Sequence, residues 1–307
     1  MQRGLPMNLP QDLKGRCAIV TGAGKGLGRA YALHLAGRGA AVLVNNRRHT
    51  GESDANTSAG QTVDAIRAAG GVAEADWSDV GDPASGVALV EHALASFGRL
   101  DIVVANAAID KAATFARQSM ADFRAVFDIG FFGNLTLAHA AWPHLVKQAY
   151  GRVILTTSSA GLYANHGMAA YSASKAAVIG LMRALALEGR KYGVLANAIS
   201  PYGYSQMTAS HMPDEMRKDF DPALVAPLVG WLASEACDVS GEVLVSGGGL
   251  VRRASMGESD AMLLQPGRVG EVVHALASQT QHGYGDAVAS FERLLQEHRA
   301  LVKEPLG

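Results

Sequence analysis

Short apolar runs alternate with helix-length stretches from residue 12 to residue 250, and few folds accept that alternation. The runs Cys17–Thr21, Ala40–Val44, Val72–Ala75, Leu100–Ala105, Arg152–Thr157, Val194–Ile199 and Val243–Val245 read as strands. Between them, Leu27–Gly37, Gln61–Ala69, Val87–Phe97, Met120–Tyr150, Tyr171–Tyr192 and Pro222–Ser234 carry apolar residues at helical spacing. Strands joined through a helix lie parallel, because only a tight turn returns the chain antiparallel. The expectation is an α/β fold, a doubly wound parallel sheet of seven strands with helices on both faces. Pro143 predicts a kink within the long Met120–Tyr150 helix.

Composition narrows the functional classes. Hydrophobic residues make up 49% of the 307 and charged residues 18%, enough apolar mass for a sizeable core. The 27 Lys+Arg and 28 Asp+Glu leave a net charge of −1, so no nucleic-acid or membrane partner is expected. Cys17 and Cys237 make no disulfide framework, and the scattered histidines make no metal site. Without a membrane-length apolar run or a leader-like Met1–Leu9, a cytoplasmic protein is expected. After Val251 the alternation stops, and an amphipathic pattern runs from Asp286 to Val302. The division expected is residues 1–255 as a single dinucleotide-binding catalytic domain and 256–307 as a C-terminal helical extension.

Between the first strand and the first helix stands Thr21-Gly22-Ala23-Gly24-Lys25-Gly26-Leu27-Gly28. Glycines here let the backbone turn sharply and approach a pyrophosphate, while the helix start offers unpaired N–H groups. The nucleotide is then decided where the second strand ends. A carboxylate there would hold both ribose hydroxyls and favour NAD(H). This chain has Asn45-Asn46-Arg47-Arg48 instead. Arg47 can meet a 2′-phosphate with two donors, and Lys25 can add charge from the glycine turn. NADP(H) is favoured, with NAD(H) the alternative.

A second constellation is Ser158, Tyr171 and Lys175. Tyr171 and Lys175 stand four apart at a helix start, so they share one face. Ser158 follows the strand ending at Thr157, at the same sheet edge as the glycine turn. A free phenol titrates near ~10, and an adjacent ammonium should lower that value toward neutrality. Tyr171 would then exchange a proton with a substrate oxygen held by Ser158. Lys175 would also bond the ribose beside the nicotinamide.

Thr21-Gly22-x-x-x-Gly26-x-Gly28, Asn106-Ala107, Ser158 and Tyr171-x-x-x-Lys175 together resemble the short-chain dehydrogenase/reductase family over residues 12–250. The resemblance implies a Rossmann-type sheet, a nicotinamide cofactor and a homodimer or homotetramer. It implies Asp79 and Val80 near the adenine, Asn106 and Ala107 beside the cofactor, and Ile199, Pro201 and Thr208 around the nicotinamide. Within the family, Glu188-Gly-Arg-Lys191 and Val225-Ala-Pro-Leu-Val229 resemble the (3R)-hydroxyacyl-CoA dehydrogenases of peroxisomal multifunctional enzymes.

The chain also departs from the family pattern. Ala105-Asn106-Ala107-Ala108 replaces the usual Asn-Asn-Ala-Gly, and Gly130 stands where an asparagine often completes a catalytic tetrad. Asn134 lies one helical turn further on. Other candidates are Tyr163 and His166 as pocket lining, Tyr202 and Tyr204 near the cofactor, and Ser205–Phe220 as a lid. Arg217, Lys218, Arg252 and Arg253 are candidate contacts to phosphates of an acyl-CoA. The expected function is an NADP(H)-linked oxidoreductase interconverting a secondary alcohol and a ketone, on an acyl-CoA, a steroid or another apolar substrate. The alternative, resting on Gly130, is a nucleotide-binding sensor or subunit with little catalysis.

Overall fold

A strand covered by helices on both faces can be apolar throughout, and β1 (Cys17–Thr21) is buried at every position. Its glycine turn leads into α1 (Gly26–Gly37), then β2 (Ala41–Asn45), α2 (Ser58–Ala68), β3 (Val72–Asp76) and α3 (Ser85–Phe97). The wholly buried β4 (Ile102–Ala105) follows, then α4 (Met120–Phe127), α5 (Gly133–Lys147) and β5 (Gly151–Thr156). Next come the short α6 (Ser159–Tyr163), α7 (Ala169–Gly189), β6 (Val194–Tyr202), α8 (Ala226–Leu232), β7 (Val243–Gly247) and β8 (Leu250–Ala254). This computed structural model describes residues 9–48, 51–209 and 212–303.

The sheet runs β3-β2-β1-β4-β5-β6-β7-β8, and every pairing from β3 through β7 is parallel. From β1 the chain winds outward through β2 and β3, then returns to place β4 on its other side. That reversal opens a crevice at the C-terminal ends of β1 and β4, where such sheets bind ligands. Ala18, Val20, Val42, Val44, Ile102, Val104, Ile154 and Ile199 fill one face of the sheet beneath α1 and α2.

Three features differ from the expectation. The seven parallel strands are joined by β8, an eighth strand on the edge beyond β7. Gly248 and Gly249, both at positive φ, form its two-residue connection to β7, which requires an antiparallel return. Its exposed Leu250, Val251, Arg252 and Arg253 lack the apolar signature of an interior strand. Second, the long helix breaks at a π-turn, Asp128–Phe132, while Pro143 sits inside α5. Third, Pro222–Ser234 divides into a 3₁₀ turn, Pro222–Leu224, and α8.

The chain divides into two compact units, Met1–Arg253 and Ala254–Gly307. The second contains a small ladder of β9 (Glu258–Ser259) with β10 (Gln281–His282), α9 (Val269–Leu276) and α10 (Ala287–Lys303). Among the described residues no helix is long and apolar enough to cross a membrane, and no cluster of potential metal ligands occurs.

Candidate active site

The glycine turn shapes one end of a cleft of about 650 Å³. Gly22 has φ +63°, and a β-carbon there would lie 3.0 Å from the Ala107 Cα. A β-carbon on Gly28 would lie 2.3 Å from the Gly22 carbonyl oxygen and 2.7 Å from Asn106 Nδ2. Only bare backbone permits this approach. Asn106 Nδ2 donates to the Thr21 carbonyl at 3.0 Å, tying the β4 loop to the turn. Lys25 caps α1 without a side-chain hydrogen bond, so the first-turn amides of that helix face the cleft uncapped. A glycine cradle under open helix amides fits a dinucleotide pyrophosphate.

Asn45, Asn46 and Arg47 line the cleft where β2 ends. Asn46 Nδ2 donates to Ser58 Oγ at 3.0 Å, bringing the start of α2 to the same corner. The two arginines diverge. Arg47 is an exposed lining residue, whereas Arg48 is paired with Asp54 and stacked 4.5 Å above the Trp77 ring. Ser78, Asp79 and Val80 form the facing wall, and Asp79 Oδ1 accepts from the Gly81 amide at 2.9 Å.

At the other end, Ser158 is the N-cap of α6 and accepts from the Ala160 amide at 3.1 Å. That bond occupies a lone pair and leaves the hydroxyl proton to point elsewhere. The Ser158 side chain lies close enough to the Tyr171 phenol to favour the ionised form. Lys175, one turn along α7, is 1% exposed. Its Nζ donates to the Thr156 carbonyl at 2.8 Å and lies 5.8 Å from the Tyr171 ring centre. Burial lowers the Lys175 pKa to about 8.

Here the structure corrects the sequence. Tyr171 is raised above the ordinary phenol value, first by burial and further by the Asp110 carboxylate, with Ser158 opposing. The expected lowering by Lys175 does not appear, and desolvation of the phenol sets the direction of the shift.

Most of the anticipated site residues line this cleft: Gly22, Lys25, Gly26, Leu27, Gly28, Asn46, Arg47, Asp79, Val80, Asn106, Ala107, Ser158, Tyr171, Lys175, Pro201 and Thr208. Ile199 instead is fully buried in β6. Tyr163, the last residue of α6, and His166, in the loop after it, are exposed and outside the cleft lining. Tyr204 and Arg217 line it, with the Tyr204 hydroxyl bonded to Asp214 and Arg217 stacked on its ring at 4.8 Å. Within the anticipated lid, Ser210 and His211 lie outside the described residues. Thr208 Oγ1 anchors its start by donating to the Gly203 carbonyl at 2.8 Å. Tyr202, Lys218 and Arg252 line a separate groove, and Arg253 pairs with Glu242.

The sequence reading missed Thr156, Thr157, Ile109 and Ile129 as lining residues. Thr156 and Thr157 could have been found, since they end the strand preceding Ser158. Ile129 enters through the π-turn. There Asn134 Nδ2 donates to the Gly130 carbonyl at 2.9 Å, and a β-carbon on Gly130 would lie 3.2 Å from Ser174 Oγ.

Residues 16–217 match the family model described as short chain dehydrogenase. The peroxisomal multifunctional enzyme type 2 of Drosophila melanogaster is 40% identical over 254 residues, covering 82% of this chain and 42% of that enzyme. The chain thus spans less than half the length of that relative. A 3-oxoacyl-[acyl-carrier-protein] reductase of Synechocystis is 33% identical over 248 residues, covering 78% of this chain and 98% of the reductase. A short chain dehydrogenase crystal structure from Mycobacterium avium superposes with TM-score 0.79 at 36% identity, covering 89% of this chain and 98% of that one. Sequence, fold and the architecture of the cleft agree: the chain belongs to the short-chain dehydrogenase/reductase family.

Proposed function

We propose that this chain is an NADP(H)-dependent oxidoreductase that interconverts a 3-hydroxyacyl thioester, or a similarly apolar secondary alcohol, with its ketone. The observation that carries the reading is the meeting of Ser158, Tyr171 and a buried Lys175 in the cleft that also holds the glycine turn. The 3-oxoacyl substrate of the Synechocystis reductase supports the thioester assignment.

The nicotinamide, when bound, supplies or accepts the hydride. The protein's residues do the rest. Ser158, with one lone pair engaged by the Ala160 amide, donates its proton to the substrate oxygen and fixes it beside Tyr171. Tyr171 gives that oxygen a proton during reduction and removes one during oxidation. A raised phenol pKa keeps Tyr171 protonated at neutral pH, which suits the reductive direction. Lys175, held by Thr156, orients the ribose and lends positive charge as the phenol loses its proton. Arg47 supports NADP(H), because the corner that would hold a ribose-binding carboxylate presents Asn46 and an exposed guanidinium. We further assign catalysis to residues 1–255, with 256–307 as an appended helical segment of a cytoplasmic homo-oligomer.

The test is Tyr171→Phe assayed with a 3-oxoacyl thioester and NADPH. Turnover should fall at least about 100-fold, while nucleotide titration stays unchanged. Full activity in the variant would refute the acid–base assignment.

A further inference from the structure

The cleft carries positive charge that the chain as a whole does not. Among its described lining residues, Lys25, Arg47, Lys175 and Arg217 stand against a single carboxylate, Asp79, in a protein of net charge −1. Three of these cations have a place in the reading above: Lys175 at the reaction end, Arg47 at the adenosine corner and Lys25 in the glycine turn. Arg217 has none.

A short series of contacts ties Arg217 to the glycine turn. Gly203 and Ser205 pack on the first turn of α1. A β-carbon on Gly203 would lie 2.9 Å from Leu27 Cδ2, and one on Gly26 would lie 3.3 Å from Ser205 Cβ. Between them, the Tyr204 amide donates to the Phe220 carbonyl at 2.7 Å, and the Phe220 amide donates to the Met216 carbonyl at 2.9 Å. These bonds bring the Asp214–Arg217 3₁₀ turn back to Tyr204. The guanidinium then stacks 4.8 Å from the centre of the Tyr204 ring. Its contacts to the Tyr204 hydroxyl and to Asp214 Oδ1, both 3.3 Å, use Nη2 alone. Nε and Nη1 remain as donors for another acceptor. Lys218, the next residue, lines the separate groove instead.

We propose that Arg217 is a diphosphate-binding residue, and that the diphosphate is the dinucleotide's, held jointly by Arg217 and the glycine turn. This rests on the dinucleotide reading of the cleft and deepens it.

The argument is one of charge and competition. Backbone amides at a helix start offer a diphosphate shape and partial charge. A guanidinium adds a full charge and paired donors. The ion pair that Arg217 makes with Asp214 is exposed, and such pairs contribute little. A diphosphate in the cleft therefore competes readily for the remaining edge of the guanidinium. An acyl-CoA substrate also carries a diphosphate. The dinucleotide is favoured because the residues supporting Arg217 rest on Gly26 and Leu27, within the glycine turn itself.

The test is titration of wild type, Arg217→Ala and Arg217→Lys with NADPH, 2′-phospho-ADP-ribose, adenosine 2′-monophosphate and coenzyme A. The second ligand keeps the diphosphate and lacks the nicotinamide; the third lacks both. In Arg217→Ala, affinity for the first two should fall together by about tenfold, while affinity for the third stays as in wild type. Arg217→Lys should recover part of the loss, because it restores the charge without the paired donors. Unchanged NADPH affinity in Arg217→Ala would overturn the proposal. So would an equal loss for adenosine 2′-monophosphate, which marks general damage to the cleft. Weaker coenzyme A binding with NADPH unmoved would give Arg217 to the substrate and overturn it as well. A wild type that binds NADH in place of NADPH refutes the cofactor preference alone, and Arg217 is then decided by the same comparison of NADH, ADP-ribose and adenosine. A wild type that binds no dinucleotide refutes the reading of the cleft, and the proposal falls with it.

Discussion

The two ends of the cleft are built by opposite means. At the glycine turn, the working groups are main-chain amides and cations on the surface, Lys25 and Arg47. At the reaction end, the working groups are withdrawn from water, with Lys175 fully buried and burial dominating the titration of Tyr171. A phosphate-binding end needs shape, and its charges remain hydrated at little cost to folding. The reaction end needs a dry environment, and an ammonium placed there opposes folding. A steric change should therefore damage the first end most, while removal of a charge should reveal the cost of the second.

The largest effect is expected from Gly28→Ala. Its β-carbon would meet the Gly22 carbonyl oxygen at 2.3 Å, and that partner is backbone that cannot rotate away. Nucleotide affinity, followed by quenching or enhancement of cofactor fluorescence, should fall at least about 100-fold, equivalent to the loss of ~3 kcal/mol of binding. Tyr171→Phe should bind the nucleotide normally. If Gly28→Ala binds as wild type does, the close approach at the turn is not what shapes that end.

The contrast also explains what the sequence could reveal. Strands such as β1, β2 and β4 were legible because buried parallel strands are written as continuous apolar runs. The glycine turn was legible because its spacing is itself the geometry. β8 was not, since exposed Leu250 and Val251 next to Arg252 and Arg253 read as the start of a tail. Nor was the π-turn. Asp128-Ile-Gly-Phe-Phe132 carries no proline, and its extra residue leaves the apolar spacing almost unchanged. The meeting of Ser158, Tyr171 and Lys175 in one cleft was legible, but their electrostatics were not. Asp110 reaches Tyr171 through space, and desolvation depends on everything packed around the phenol.

A smaller effect is expected at the adenosine corner, where it separates two adjacent residues. Arg47→Glu should lower the ratio of specificity constants for NADPH over NADH by about 10–100-fold, as an attractive guanidinium becomes a repelling carboxylate. Arg48→Ala should change that ratio far less, because Arg48 is already engaged by Asp54 and Trp77. Equal effects from the two substitutions would remove the distinction between a lining arginine and a structural one. A preference for NADH in the wild type would overturn the NADP(H) assignment.

The smallest effect concerns stability at the buried end. Lys175 titrates at about 8 in the folded protein, against 10.5 when exposed, because burial disfavours its charge. Below about 8 the ammonium is charged in both folded and unfolded chains, so folding bears the full desolvation cost. Between the two values the folded chain sheds its proton first, and stability rises with pH. Above 10.5 the lysine is neutral in both states and the cost is gone. Lys175→Met removes the charge at every pH, although it leaves the Thr156 carbonyl without the donor it now has. That second loss does not vary with pH. The difference in Tm between variant and wild type, measured without cofactor, should therefore be most favourable to the variant near neutrality. It should decline by a few degrees toward pH 10, on the scale of about 2–4 °C per kcal/mol for a domain of this size. A difference that stays flat with pH would mean that the ammonium is solvated in the folded chain.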